Sequence, residues 1–196
     1  MNPFYDTFNF LKQARWPIYL LWLLLIASIL IAAYNLKRDP PQRTFKHVWI
    51  WIARVLLGCM WWQQTLWKLP PFKESGLKYW IEQLVKYAAF GFQSDIVKNL
   101  VLPNYYVFAP IVYSIEVIVA VTLILGLFTR FGSVLGAFFA INLWLGLYNQ
   151  PSEWPWTYFF LILLQFTFGF LQSGRSLGID AILARRPDLP DGAKNI

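Results

Sequence analysis

Two charged side chains stand inside apolar stretches of this chain, Arg54 in WIARVLLG and Glu116 in YSIEVIVAV. A charge at the centre of a membrane helix costs about 2.5–3.5 kcal/mol on insertion scales, so such a residue is by default a site hypothesis. At a helical rise of about 1.5 Å per residue, Arg54 falls about 12 Å past Lys46, and Glu116 about 21 Å from Arg130. On the same ruler Asn142 is about 18 Å from Arg130 and Gln165 about 15 Å from Arg175, so four helices each bring one polar group to a similar middle depth. A snorkelling arginine extends about 6 Å along the axis. We therefore expect Arg54 and Glu116 to form an intramembrane ion pair, or to share a bound ligand, with Asn142 and Gln165 beside them. In that case Glu116 is a proton carrier for quinone chemistry, and Arg54 polarises a quinone carbonyl or neutralises Glu116. The competing reading is that these groups only join helices, as polar contacts in membranes commonly do.

The residues that are scarce constrain the chemistry. With one histidine, His47, and one cysteine, Cys59, the chain cannot supply a bis-histidine haem or an iron–sulfur cluster. No glycine-rich dinucleotide fingerprint and no metal-ligand cluster is present in the sequence. Cys59 in an apolar span is a poor nucleophile. A redox enzyme built on this chain thus needs a partner that carries flavin, haem or metal.

The elements that position these groups are membrane helices. Of 196 residues 58% are apolar and 14% charged, against roughly 25% charged in an average soluble domain. Apolar stretches near 16–34, 48–67, 105–128, 131–148 and 155–172 approach the ~20 residues that a helix needs to cross a hydrocarbon core. The alternation of barrel strands is absent, so the expected fold is an all-α polytopic membrane protein. The net charge of +7 is scattered between spans, which suits orientation in a lipid bilayer and not a nucleic-acid surface. Residues 1–34 look like a signal peptide, with Lys12 and Arg15 before an apolar run; we read them as a retained span. The lysine and arginine bias then predicts an outside N-terminus and a cytoplasmic C-terminus.

The long outer loop, 68–104, contains GLKYWIEQLVKYAAFGF. Leu77, Trp80, Ile81, Leu84, Val85 and Ala88 share one helical face, which predicts an amphipathic helix over 76–90 that lies on the membrane or caps the bundle. Ser94 is a candidate N-cap for a short helix that Pro103 stops near Leu102. Tryptophans such as Trp61, Trp62, Trp67, Trp154 and Trp156 fall near span ends, where an interfacial belt places them. In GLFTRFGSVLGAF, residues 126–138, Arg130 is expected in a tight cytoplasmic turn that Gly126 and Gly132 permit, anchored at lipid phosphates and helix carbonyls.

The motifs, taken in order, resemble the DoxX/DoxD family of small membrane proteins, over roughly residues 48–183. ARVLLGCMWWQQTLWKL resembles the family's first core helix through Arg54, Gly58 and Lys68. IEVIVAVTLILGLFTRFGSVLG resembles its Glu-to-Gly-Leu-x-Thr-Arg hairpin through Glu116, Gly126, Leu127, Thr129 and Arg130. LWLGLYNQPSEWPW is similar to the loop before the last helix, and GRSLGID, from Gly174 to Asp180, to a terminal segment closest to the DoxD branch. The resemblance implies a four-helix core, with 1–47 an additional N-terminal span and basic loop and 184–196 a cytoplasmic tail. It also implies a prokaryotic inner membrane, and a clasp in which Asp180 pairs with Arg130 or Arg175.

The function implied is a quinone-associated subunit of a respiratory oxidoreductase, with thiosulfate or a similar reduced sulfur compound as electron donor and a separate larger subunit. Arg54, Glu116, Asn142 and Gln165 would line the quinone pocket, and Lys68 would attract the anionic donor or simply snorkel. The alternative is a non-catalytic accessory subunit of a larger respiratory or photosynthetic complex. A cavity open to lipid favours the first, and a filled interior the second. A transporter is disfavoured by the absence of an internal repeat or helices broken at midplane.

Overall fold

The computed structural model describes residues 2–69 and 76–186. Glu74 of the outer loop, and most of the 184–196 tail with Lys194, lie outside the described residues. The chain runs α1 (Pro3–Leu11), α2 (Trp16–Arg38), α3 (Phe45–Leu66), α4 (Gly76–Tyr87), α5 (Gly91–Ile96), α6 (Tyr105–Leu125), α7 (Thr129–Gly146), α8 (Pro155–Phe170) and α9 (Ile179–Ala184). Short 3₁₀ turns at Pro40–Gln42 and Ser173–Arg175, and a π turn at Val97–Val101, join them. The all-helical fold expected from the sequence is what forms among the described residues.

The five expected spans coincide with α2, α3, α6, α7 and α8. By length and composition α2 and α6 pass as membrane-crossing helices, and α8 is a shorter apolar one. Only 28% and 33% of the most apolar windows of α2 and α6 are buried inside the molecule. Their apolar surface therefore faces outward, as lipid requires and a soluble core helix does not allow. α3 packs on α6, and α7 on α8. A core of Leu21, Leu57, Trp61, Trp62, Val119, Leu123 and Phe168 joins α2, α3, α6 and α8.

Gly58 sets the register of the tightest of these crossings. A side chain there would meet Ile124 Cγ1 at 2.7 Å and the carbonyl oxygen of Ala120 at 3.0 Å, so α3 and α6 approach as helices do when a small residue sits at their interface.

Several local expectations change. The first segment is not one span: α1 is a separate nine-residue helix, with Asn2 Oδ1 accepting from the backbone N–H groups of Phe4 at 3.1 Å and Tyr5 at 3.4 Å. The Asn2-Pro3 pair, a cap followed by proline at the first helical position, was its signal. α4 ends at Tyr87 instead of residue 90. Ser94 lies inside α5, and its hydroxyl donates to the Val85 carbonyl at 2.6 Å, so it ties α5 to α4 and is no N-cap. α4 caps the bundle, with Leu77, Ile81 and Leu84 buried against Val97, Tyr105, Ala109 and Leu147.

The hairpin before α7 is tighter than expected. Gly126 closes α6 in the left-handed conformation at φ 67°, but Gly132 and Arg130 are already within α7. Gly132 is buried, where a side chain would collide with Thr122.

Candidate functional site

Glu116 and Arg54 do not meet. From the Gly58 crossing, Arg54 lies four residues one way, about 6 Å, while Glu116 lies about 9 Å the other way from the facing stretch of α6. Lys68 is ten residues beyond Gly58, about 15 Å along the same direction as Glu116. The remaining difference of about 6 Å is the reach of a snorkelling lysine stem. The structure pairs Lys68 Nζ with Glu116 Oε1, both side chains buried. Lys68 was read as an outer anion attractor or an ordinary snorkelling residue. It instead turns inward, its ammonium 4.6 Å from the centre of the Trp67 ring.

Arg54, fully buried, goes to the other end of α6. It donates to the carbonyls of Leu123 and Ile124, and a long contact of 3.5 Å reaches the Ser176 carbonyl. The last carbonyls of a helix lack intrahelical partners and carry the negative end of its dipole, so a guanidinium within reach is drawn there before it is drawn to a carboxylate a further two turns away. Asp180 adds an attractive charge to Arg54. This corrects the expected Arg54–Glu116 pair.

Asp180 has a second task. Its carboxylate accepts from the backbone N–H of Phe128 at 2.8 Å and of Thr129 at 3.1 Å, and from the Thr129 hydroxyl at 2.8 Å. Phe128, at the N-cap position of α7, has no capping side chain, so a residue fifty positions away supplies the cap. Thr129 Oγ1 in turn accepts from the Gly174 N–H at 3.0 Å. The GRSLGID segment thus holds the hairpin through the N-terminus of α7.

The same end binds α2. Ser28 Oγ donates to the Ile124 carbonyl at 2.7 Å. Asn35 donates to the Gly178 carbonyl at 3.0 Å, and Gln42 Oε1 accepts from the Leu177 N–H at 2.7 Å. Arg185 joins Asp39 at 2.7 Å and Asn35 at 2.6 Å. His47 Nδ1 lies 2.9 Å from Ser176 Oγ. The additional N-terminal span is therefore knit into the body of the protein.

Around the Lys68–Glu116 pair, by contrast, the interior opens. A cavity of about 500 Å³ is bounded by α3, α4, α6, α7 and α8. Trp61, Trp80, Leu84, Val112, Phe139 and Leu161 give it apolar walls, and Lys68, Glu116, Gln64, Asn142, Glu153 and Tyr158 supply polar atoms. Glu116 Oε2 is buried with no hydrogen-bond partner. Asn142 is an exposed residue of α7 whose Oδ1 accepts from Gln93 Nε2 at 3.2 Å. Tyr158 donates to Glu153 at 2.9 Å. Two backbone bonds fix the outer loop over α7, Ala89 N–H to the Leu145 carbonyl at 2.7 Å and Asn149 N–H to the Tyr87 carbonyl at 3.1 Å.

Of the four residues expected to share a site, Glu116 and Asn142 line this cavity. Arg54 and Gln165 do not. Gln165 is fully buried next to Gly136, with neither side-chain polar atom partnered. The partner that sequence reasoning missed was Lys68, and its signal was the Gly58 register. Trp80 and Tyr158 were hidden because they come from a loop helix and a neighbouring span whose docking the sequence pattern leaves open. Among the described residues no group of three or more His, Cys, Asp or Glu could hold a metal ion.

A bundle of apolar helices facing outward, with a charged pair beside an internal cavity, defines a small multi-pass membrane protein. The family pattern of DoxX matches residues 49–149, just over half of the chain, and the chain belongs to the DoxX family. The match takes in α3 to α7 and stops before α8 and the Gly174–Asp180 segment. No curated protein and no solved structure matches the chain.

Proposed function

We propose that this DoxX-family protein is a quinone-associated subunit of a membrane oxidoreductase, and that the cavity over Lys68 and Glu116 receives the quinone head group. The observation that carries the reading is the combination of aromatic and aliphatic walls with a buried ion pair that leaves one carboxylate oxygen unpartnered. A ligand pocket is typically apolar with a few placed polar groups, and a volume of about 300–1,000 Å³ is usual. A quinone is an apolar ring with two carbonyl acceptors, so the donors that fit it are the Lys68 ammonium and the amide of Asn142 or Gln64.

When bound, a quinone supplies two-electron chemistry that also takes up two protons. Lys68 would hold and orient it, Glu116 would keep the ammonium in place and handle a proton, and the α4 cap would keep bulk water from the apolar wall. Arg54 would serve the scaffold. The electron donor proposed is a reduced sulfur compound such as thiosulfate, and the electrons arrive through a separate subunit that carries a redox centre. In this reading the protein sits in a prokaryotic inner membrane, and the charge bias supports a cytoplasmic side for the C-terminus and the Arg54 end.

The reading is tested by titrating the purified protein in nanodiscs with a short-chain ubiquinone analogue. Trp61, Trp67 and Trp80 line the cavity, so saturable quenching of tryptophan fluorescence is expected, and its absence overturns the site. Thiosulfate-dependent quinone reduction in membranes with and without the chain then tests the donor. Binding without any change in that activity leaves a quinone site with another donor. No binding and no change in activity point to the accessory role.

A further inference from the structure

We propose that a hydrated line of buried polar side chains connects Glu116 to the Asp180 end of the molecule and carries protons between that end and the cavity. The inference goes beyond the ligand-site reading and does not need it, because it concerns water and protons alone.

The line descends the interface of α6, α7 and α8. Val119, one turn below Glu116 on α6, faces Gly136 of α7, where an added side chain would also collide with Gln165 Nε2 of α8. One turn further, the Cβ of Ser133 lies against Gly169. Another turn reaches Thr129, which binds Asp180 and the N–H next to Ser173. The steps are three or four residues each, about 4.5–6 Å along the helices.

Four of these side chains carry polar atoms that are buried with no protein partner: Glu116 Oε2, both polar atoms of Gln165, Ser133 Oγ and Ser173 Oγ. Burying a polar group without a partner is costly, and orphaned polar groups are rare in proteins and are normally bridged by water. A single orphan would mark no path. Here they succeed one another at one-turn intervals along a single interface, which ends in an acid on each side. Each amide or hydroxyl can accept a hydrogen bond on one side and donate on the other, the arrangement that hands a proton along a water chain. Arg54 and its carbonyl partners lie on the α3 side of α6, and the guanidinium meets the line only at its end, through its charge interaction with Asp180. The Lys68–Glu116 pair closes it at the cavity, since a carboxylate held by an ammonium does not release its charge freely.

The test uses the full chain in liposomes with an imposed pH gradient and an entrapped pH dye, without quinone. Wild type is expected to be nearly proton-tight. Lys68→Met removes the closing ammonium and should raise proton permeability several-fold, and adding Gln165→Leu to that variant should return it to the wild-type level. A Lys68→Met protein no leakier than wild type, or a leak indifferent to Gln165→Leu, overturns the proposal. If Lys68→Met fails to fold, the decision rests on the wild type: solid-state NMR of ¹⁵N-glutamine-labelled protein, edited by magnetisation from water, should show rapid transfer to the side chain assigned to Gln165 by its loss in Gln165→Leu. A dry Gln165 overturns the line.

Discussion

The two ends of α6 hold buried charges in opposite ways. At Leu123 and Ile124 the Arg54 guanidinium donates through Nη1 to helix-end carbonyls, although its Nε has no partner, and Asp180 accepts from backbone N–H groups and a hydroxyl. At Glu116 the charges are paired with each other, and the surrounding space is a cavity into which polar atoms are left without partners. Backbone ends satisfy a charge permanently, because they cannot move away. A side-chain pair beside a cavity can exchange partners when something enters. The first arrangement fits scaffolding, and the second fits a site.

This contrast predicts different consequences for comparable substitutions. Arg54→Met should be the most damaging change, since it leaves the α6 carbonyls and Asp180 without their cation. A loss of about 3–5 kcal/mol is expected for breaking a buried charged contact, read as a large drop in folded protein in a detergent unfolding titration. If Arg54→Met is well folded but defective in ligand binding, the division between the two ends is wrong.

Gly58→Leu should come next. The crossing of α3 and α6 has no room for the side chain, and overpacking of this kind costs about 1–3 kcal/mol. It also shifts Lys68 away from Glu116, so the melting temperature and the quinone-analogue affinity should fall together. A normal melting temperature with weakened binding would show that the register serves the site alone.

Lys68→Met should sharpen the contrast from the other side. Because Glu116 borders a cavity and can take up a proton once its cation is gone, the fold should survive while affinity for the quinone analogue drops about tenfold, or roughly 1.4 kcal/mol. A severe folding defect with no selective binding loss would make the outer pair structural like the inner one.

The smallest effect concerns the tether of α2 to the C-terminal segment. Asp39 is held below the usual carboxylate range chiefly by the Gln42 side chain, against an opposing effect of burial, with Arg185 lowering it further. A depressed folded-state value means that the contact contributes stability above the unfolded-state range near pH 4 and loses it as pH falls through the folded-state value. Since Asp39 and Arg185 are partly solvent-exposed, the contribution should be under about 1 kcal/mol. Melting temperature should dip slightly below pH 4, and Asp39→Asn should remove that part of the dip.

How far the site was legible can be followed in three residues. Glu116 stood out because a carboxylate inside the span YSIEVIVAV needs a reason, whether joining helices or forming a site. Lys68 was not, because a lysine at the edge of an apolar stretch normally points to water. For Asp180 the resemblance implied a clasp with Arg130 or Arg175, whereas its place as the cap of α7 depends on a return of the chain that no local pattern encodes.

The sequence by itself determined the class of fold and its spans, since lipid leaves the polar backbone of an apolar stretch few ways to satisfy its hydrogen bonds. It also determined which buried residues required an explanation. Only the tertiary structure decided their partners. Pairing depends on the relative heights of antiparallel helices, and those heights follow from where Gly58 lets two backbones touch and where the loop helix α4 closes over the bundle. A difference of two turns separates an Arg54–Glu116 pair from the Lys68–Glu116 pair that forms, and no ruler laid along one helix at a time can supply it.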